Sequence, residues 1–360
     1  MGIPCVAVYV AADADAPFVS DADEAVRLPE SYLDGKSVLE AARRSGADMI
    51  HPGYGFLSEN ASFAAEVAAA GLVWVGPSPG SNDTMGDKLA AKELAQTSEV
   101  PILPGSADPA GAAEVGFPLL VKAAAGGGGK GMRLVQSADA LEEAVAAARR
   151  EAASGFGDDR VFLERYVARA RHIEIQILGD AHGNIVHLGE RECSIQRRHQ
   201  KILEESPSPR VDPELRERMG EAALRLARAL DYESAGTVEF LVDDASGEFF
   251  FLEVNPRLQV EHGITEELVG IDLVQLQIRI ARAESIEDLE INERGVAIEA
   301  RVCAEDPDAN FLPSPGPITR FDPALGPRIR IDAGVLLGTT VSSEFDSLIA
   351  KVIATGDDRE

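Results

Sequence analysis

The sequence predicts an α/β fold assembled from successive units, and three observations carry that expectation. Residues 1–77 alternate short apolar runs with helical patterns. A run of glycines, "AAAGGGGKGM" at 123–132, lies between two apolar strands. Farther on, "GTVEFLVDDASGEFFFLEV" (236–254) spells two strands around a polar turn.

In the first unit, strands are expected at 5–10, 24–28, 48–51 and 72–76, with helices at 37–45 and 60–70, the second capped by Ser58. Strands alternating with helices imply an N-terminal parallel α/β layer over 1–77. Residues 78–105 are rich in Pro and Gly and read as a linker around one short helix. Residues 106–166 form a glycine-rich lid module: strand 117–123, the glycine run, strand 132–135, helix 138–153 and strand 160–164. Residues 167–290 read as a mixed-sheet catalytic core. It holds two strands joined at "GDAHGN" within 171–190, a helix over 212–231, strands at 236–243 and 248–254, and a helix near 266–283. Asp212 followed by Pro213 is a helix start, and Leu215, Met219, Leu226 and Leu230 recur at helical spacing. Residues 291–360 begin a strand-rich C-terminal unit.

With 360 residues, 45% of them hydrophobic, the chain can bury a large core in more than one domain. No apolar run approaches the roughly 20 residues of a membrane span, and "MGIPCVAVYV" has no secretory pattern. Cys5, Cys193 and Cys303 form no CxxC pair, and an odd count argues against a disulfide framework. A reducing, cytoplasmic setting is expected. Acidic residues outnumber basic ones 61 to 34, for a net charge of -27. Such a surface repels itself in dilute buffer and is screened in concentrated salt, so a halophilic cytoplasm is expected. The same charge excludes nucleic acid and anionic membranes as partners. Against this background Arg197, Arg198, His199 and Lys201 crowd into "CSIQRRHQKILEE" (193–205). The cluster reads as a place where an anion is held.

The glycine run narrows the anion to a phosphate. Backbone without Cβ can wrap phosphates and offer them N–H donors. Lys130 is followed by Gly131 rather than Ser or Thr, which excludes a Walker A loop. "MRLV" continues as a strand, which excludes the dinucleotide fingerprint. A glycine-rich flap closing over a nucleotide fits better, with a plain flexible turn as the alternative. Glu239 and Glu253 each stand seven residues from Ser246, so a symmetric hairpin sets them side by side on one face. Like charges placed so are destabilising unless something positive lies between them, and hard carboxylate oxygens suit Mg²⁺; an amphipathic strand with a solvated face is the alternative. Glu253, Asn255, Arg257, Gln259 and Glu261 share one parity, so an extended segment would line one face with polar groups.

"FPLLVKAAAGGGGKGMR", "CSIQRRHQKILEE", "GTVEFLVD" and "FLEVNPRLQVEH" together resemble the ATP-grasp enzymes, an α+β fold. "HPGYGFLSEN" (51–60) and "RLQVEH" (257–262) single out biotin carboxylase, a subunit or domain of acetyl-CoA, propionyl-CoA and pyruvate carboxylases. The resemblance covers essentially the whole chain. It implies that ATP phosphorylates bicarbonate to carboxyphosphate, whose CO₂ is then captured by a ureido nitrogen of biotin. It assigns Lys88 and Lys122 to the ATP phosphates and Gly128 and Gly129 to the flap. Glu164 and Val167 would lie at the adenine, with His172 and His199 on the nucleotide. Glu239, Glu253 and Asn255 would hold Mg²⁺ or Mn²⁺. Gln196, Lys201, Arg257, Gln259 and Val260 would form the bicarbonate pocket, with Glu261 as the base. Arg301 would stabilise the enolate-like oxygen of biotin, and Tyr54 and Gly55 would border it. The implied partners are a second copy of the chain, a biotin carboxyl carrier protein and a carboxyltransferase subunit.

The family normally begins with a strand and an "ANRGEIA"-type turn ahead of residue 1, and continues past residue 360. A chain truncated at both ends is therefore the expectation, with a first layer incomplete at its start. No "AMKM" biotinyl-lysine motif is present, which places the carrier on another chain or beyond the truncation. "EHGITE" stands where the family has His-Pro after the glutamate. Two alternatives follow: another ATP-grasp carboxylate ligase, or a non-catalytic carboxylase fragment.

Overall fold

The structure, a computed structural model, describes residues 1–124, 132–324 and 326–360. The flap glycines Gly128 and Gly129 lie outside the described residues.

Two parallel strand pairs build the N-terminal region. Strand β1 (Val6–Tyr9) pairs with β2 (Glu24–Arg27), and β3 (Met49–Ile50) with β4 (Val73–Trp74). The helix Gly35–Ser45 starts where Asp34 accepts from the backbone N–H groups of Lys36 and Ser37, and stops at Gly46 in the left-handed region. The next helix, Ala61–Ala69, is capped by Asn60 rather than Ser58, because Asn60 Oδ1 accepts from Phe63 N at 2.8 Å. The stretch read as a linker holds two helices, Pro79–Gly86 and Lys88–Thr97. Ser78 caps the first and Asp87 the second, so the polar residues that suggested a loop are the caps. Ala91 and Ala95 of the second helix join the main core.

Four short strands follow: β5 (Gly105–Ser106), β6 (Leu119–Ala123), β7 (Arg133–Val135) and β8 (Val161–Arg165), in the antiparallel order β5-β8-β6-β7. Val145 and Ala148 of the helix Leu141–Phe156 pack on Leu119, Val121 and Leu163 beneath them.

The site is carried by one eight-stranded sheet. Its strands are β9 (Ala170–Gly179), β10 (Ile185–Arg197), β11 (Gln200–Ser206), β12 (Ser234–Asp243), β13 (Phe249–Asn255) and β14 (Val296–Cys303), then Leu348–Gly356 and Ile329–Ala333. The spatial order is β13-β12-β9-β10-β11-β14, followed by Leu348–Gly356 and Ile329–Ala333. The core sheet is antiparallel across all these pairings rather than mixed. Short hairpins account for the β9–β10, β10–β11 and β12–β13 pairings, while longer connections join the others. On one face Ile173, Ile175, Ile177, Val238, Phe240 and Phe251 meet Leu215, Met219 and Leu226 of the helix Pro213–Ala229. That helix starts as expected, with Asp212 accepting from Leu215 N at 2.8 Å. The helix expected near 266–283 is two, His262–Val269 and Leu273–Ala281. Gly270, in the left-handed region, ends the first, and Asp272 caps the second. The helix His262–Val269 lies over the other face of the sheet, and the space between them is the candidate site. Among the described residues no helix is long and apolar enough to cross a membrane.

Candidate active site

Several register skips interrupt this sheet, and two of them set the facing of Glu253 and of Lys201. In the β12–β13 hairpin Glu239 stands directly opposite Glu253, whereas the next pair is Phe240 with Phe251. Leu252 is thus an extra residue, a bulge. Phe249 and Phe251 point to the helix side. Strict alternation would send residue 253 there too. The bulge reverses the parity, so Val254 enters the core and Glu253 and Asn255 turn to the site. The second skip lies in β11, where Lys201 pairs with Gln196 but Leu203 with Ile195. Ile202 is left over, and Lys201 and Glu204 come to one face.

Lys201 is the centre of the arrangement. Its ammonium donates to Glu174 (2.6 Å), Glu239 (2.9 Å) and Glu261 (2.7 Å). Burial pulls the Lys201 pKa down, but the three carboxylates outweigh it and hold it well above the usual lysine value. Arg191, fully buried, donates to Glu174, to Gln176 and Thr265, and to Thr237. Arg301 closes the row, donating to Glu204 at 2.7 Å and Glu261 at 3.1 Å. Burial pushes Glu261 up, but Lys201, Arg191 and Arg301 together hold it far below the usual carboxylate range. Glu261 is therefore an ionised carboxylate with two cations against it.

The glutamate pair differs within itself. Burial pushes Glu239 up, yet Lys201 and His172 outweigh it and keep it well below the usual range. His172 Nε2 lies 2.8 Å from Glu239 Oε2, an ion-pair contact rather than an aligned hydrogen bond. Asn255 Nδ2 donates to Glu239 Oε1 at 2.9 Å. Glu253 makes no hydrogen bond or ion pair among the described residues. Burial and then Glu239 push it up, against the nearby charges of Lys88, His172 and Lys122. Two opposed carboxylates, one without a partner, and an amide oxygen beside them are a donor set that fits a hard divalent cation.

At the other end, Glu164 is held between Lys92 and Lys122. Burial pushes Glu164 up and the two ammonium groups bring it below its ordinary value. Val167 is half-buried in the link between β8 and β9. Gln196 donates to the carbonyl of Cys193 at 2.8 Å and stands 3.2 Å from His172 Nδ1.

Not every expected residue arrives at the cluster. The basic stretch divides at a two-residue turn, where Arg198 and His199 both adopt positive φ. Arg197 pairs with Glu305 and stacks 4.1 Å from the Phe311 ring centroid, and Arg198 donates to the Asn310 carbonyl. His199 is exposed at the turn and makes no hydrogen bond among the described residues. The anion-binding cluster expected from residues 197–201 thus reduces to Lys201. Nor does the strand run on to residue 261. It stops at Asn255, and Glu261 sits just before the helix His262–Val269. Arg257 donates to Glu59 (2.6 Å) and Gln259 (2.9 Å), and the carbonyl of Val260 accepts from Lys351 (2.6 Å). Tyr54 and Gly55 belong to the loop 51–58, where Gly55 has positive φ and Tyr54 feels the charge of Arg301.

Sequence reasoning missed Glu174, Arg191, Glu204, Glu299, Lys92 and Glu59. The signal for Glu174 was present: His172, Glu174 and Gln176 alternate with Ile173, Ile175 and Ile177. Glu299 and Arg301 likewise alternate with Ile298 and Ala300.

Comparisons with known proteins fit this geometry. Residues 1–81 match the family model of the biotin carboxylase N-terminal domain, 299–360 the biotin carboxylase C-terminal domain, and 87–289 the carbamoyl-phosphate synthase L chain ATP binding domain. The chain is 48% identical to biotin carboxylase of Nostoc sp., covering 100% of this chain and 83% of that protein. Against the methylcrotonoyl-CoA carboxylase alpha subunit of Oryza sativa it is 48% identical over 100% of this chain, yet it spans only 51%, about half, of that longer relative. A biotin carboxylase structure from Campylobacter jejuni superimposes with a TM-score of 0.96 at 41% identity, covering 100% of this chain and 83% of that one. The biotin carboxylase domain of Hydrogenobacter thermophilus 2-oxoglutarate carboxylase, a dimer in complex with MgADP, ADP and bicarbonate, gives 0.95 at 40% identity, covering 99% and 82%.

Proposed function

The chain belongs to the biotin carboxylase family, and on that premise we propose that it carboxylates biotin with ATP and bicarbonate through carboxyphosphate. The observation that carries the reading is Glu261, an ionised carboxylate held between Lys201 and Arg301 beside the opposed Glu239 and Glu253. Lys88 and Lys122 neutralise the nucleotide phosphates, with Gly128 and Gly129 in the flap. Glu164 and Val167 border the adenine, and His172 and His199 serve the nucleotide. Glu239, Glu253 and Asn255 would hold Mg²⁺ or Mn²⁺, which when bound supplies charge neutralisation for the phosphates.

Bicarbonate is oriented by Arg257, whose planar fork suits a small planar anion, together with Gln196, Lys201, Gln259 and Val260. A bicarbonate oxygen bonds to the γ-phosphorus, ADP leaves, and the bicarbonate proton passes to Glu261. A strongly acidic carboxyl is a weak base, so Glu261 acts through position rather than proton affinity. Carboxyphosphate then breaks into CO₂ and phosphate. The phosphate takes the N–H proton of biotin, Arg301 stabilises the resulting oxyanion, and the nitrogen bonds to CO₂. Tyr54 and Gly55 border the biotin.

The biotin is borne by a carrier protein, and a carboxyltransferase subunit receives the product. The expected assembly is a homodimer, as for the Hydrogenobacter domain. The test is ADP release by the purified chain with free biotin and bicarbonate. We expect biotin to raise the rate and Arg301→Ala to abolish carboxybiotin. A folded, ATP-hydrolysing protein indifferent to biotin would be another ATP-grasp ligase; nucleotide binding without turnover would mark a non-catalytic fragment.

A further inference from the structure

The large sheet carries a second pair of directly opposed glutamates, Glu204 on β11 and Glu299 on β14. Both are buried. Like carboxylates set opposite each other away from water cannot both ionise cheaply. Only one of their four oxygens has a strong partner: Glu204 Oε1 accepts from Arg301 at 2.7 Å. Among the described residues, Glu204 Oε2 and both oxygens of Glu299 are buried without a hydrogen-bond partner. For ionised carboxylates that state is costly; for a carboxyl group carrying a proton it is far less so.

The surroundings leave little else to neutralise the pair. On β14 itself stands Arg301, already shared between Glu204 and Glu261. The neighbouring strand Leu348–Gly356 offers Lys351, 4.0 Å from Glu299 Oε2. Its stronger contacts go to the Val260 carbonyl (2.6 Å) and Asp332 (3.3 Å). The strand Ile329–Ala333 presents Arg330, which is committed to Asp332 and Glu266. The helix His262–Val269 presents Gly263, so close that an added Cβ would fall 2.5 Å from Ile353 and 3.6 Å from Glu299 Oε2. From the loop 51–58, Tyr54 is near enough to sense Glu299.

We propose that Glu204 and Glu299 hold one proton between them beneath Arg301, Glu299 as the neutral acid and Glu204 as the carboxylate that aims the guanidinium. Both are positioning residues for the oxyanion role of Arg301, and the functional part rests on the biotin carboxylase reading. Burial pushes Glu299 up to about 8 and Glu204 up to about 7, consistent with a proton retained at neutral pH. Raising the pH ionises Glu299, adds a negative charge behind Arg301, and draws the guanidinium back into the sheet, away from the biotin oxygen.

Two measurements test this. Infrared difference spectra of wild type against Glu299→Gln, on the intact chain at neutral pH, should show the carbonyl band of a protonated carboxylic acid lost in the variant. A difference holding only carboxylate bands overturns the proposal, whatever the enzyme does. Biotin-stimulated ADP release against pH should fall in wild type around pH 8. Glu299→Gln should lose that alkaline fall, and Glu299→Asp should keep it. Glu204→Gln should lower biotin-stimulated kcat by roughly 10–100-fold, the range for outer partners that orient a working group. Coincident alkaline limbs in wild type and Glu299→Gln reject the positioning role. Absence of any biotin stimulation in wild type rejects the functional reading instead, and the infrared result still decides the proton.

Discussion

The two opposed glutamate pairs share sequence chemistry and antiparallel strand geometry, yet the sheet treats them differently. Glu239 and Glu253 have Lys201, His172, Lys88 and Lys122 around them. Glu239 is held below its ordinary value, whereas Glu253 has no hydrogen-bond or ion-pair partner among the described residues and sits above its own. Beside Glu204 and Glu299 stand only Arg301, which Glu204 shares with Glu261, and Lys351, 4.0 Å from Glu299, and the solution proposed there is a proton. The difference teaches that a buried carboxylate pair has no intrinsic role. The positive charge delivered by neighbouring strands sets which protonation state each carboxylate favours.

The comparison is broken most severely by removing the charge that distinguishes the first pair. Lys201→Met leaves Glu174, Glu239 and Glu261 without their shared cation. We expect a loss of about 3–5 kcal/mol in denaturant unfolding, the cost of breaking a buried ion pair from one side. Biotin-dependent turnover should vanish with it. A variant as stable as wild type would show that the three carboxylates do not depend on Lys201.

Glu253→Gln sharpens the comparison in the opposite sense. It removes a like charge opposite Glu239 and should stabilise the metal-free chain by up to about 1 kcal/mol. Calorimetric titration should meanwhile show weaker Mg²⁺–nucleotide binding. A destabilised variant would mean that the carboxylate of Glu253 has a structural partner.

The carboxylates of the sheet also differ in how stability follows pH, and Glu253, raised by burial and by Glu239, falls with Glu204 and Glu299 rather than with its own partner. Glu239 and Glu261 sit below their ordinary values, so their contribution is present above the usual carboxylate range and is lost as pH falls through it. Glu204 and Glu299 sit above theirs. Their contribution is full below the ordinary carboxylate pKa and is lost as pH rises through about 7 and 8. Urea midpoints should therefore decline on the alkaline side, and Glu299→Gln should flatten that decline. The smallest effect belongs to an exposed control. Arg320 pairs with Asp322 at 85% and 69% side-chain exposure, and Arg320→Ala should leave the melting temperature unchanged.

Much of this was legible in the residues. Counting outward from Ser246 puts Glu239 opposite Glu253, as found, but for a reason the count did not contain. The hairpin is symmetric about residue 246 only because Leu252 is an extra residue. Read from the phenylalanines alone, Glu253 would have faced the core. The basic stretch misled for the complementary reason. Proximity in sequence suggested one anion site, but a tight turn with two positive φ values sent Arg197 and Arg198 to the residues 305–311 instead.

By itself the sequence determined the α/β character, the cap at Asp212, and the turns that make the hairpins, because these depend on residues within a few positions of one another. Tertiary structure alone decided that Lys201 meets Glu174, Glu239 and Glu261, and that Glu204 meets Glu299. Those contacts follow from the strand order β12-β9-β10-β11-β14 and from single-residue bulges at Leu252 and Ile202. A bulge reverses every side chain beyond it, and its place is set by packing across the whole sheet rather than by local alternation.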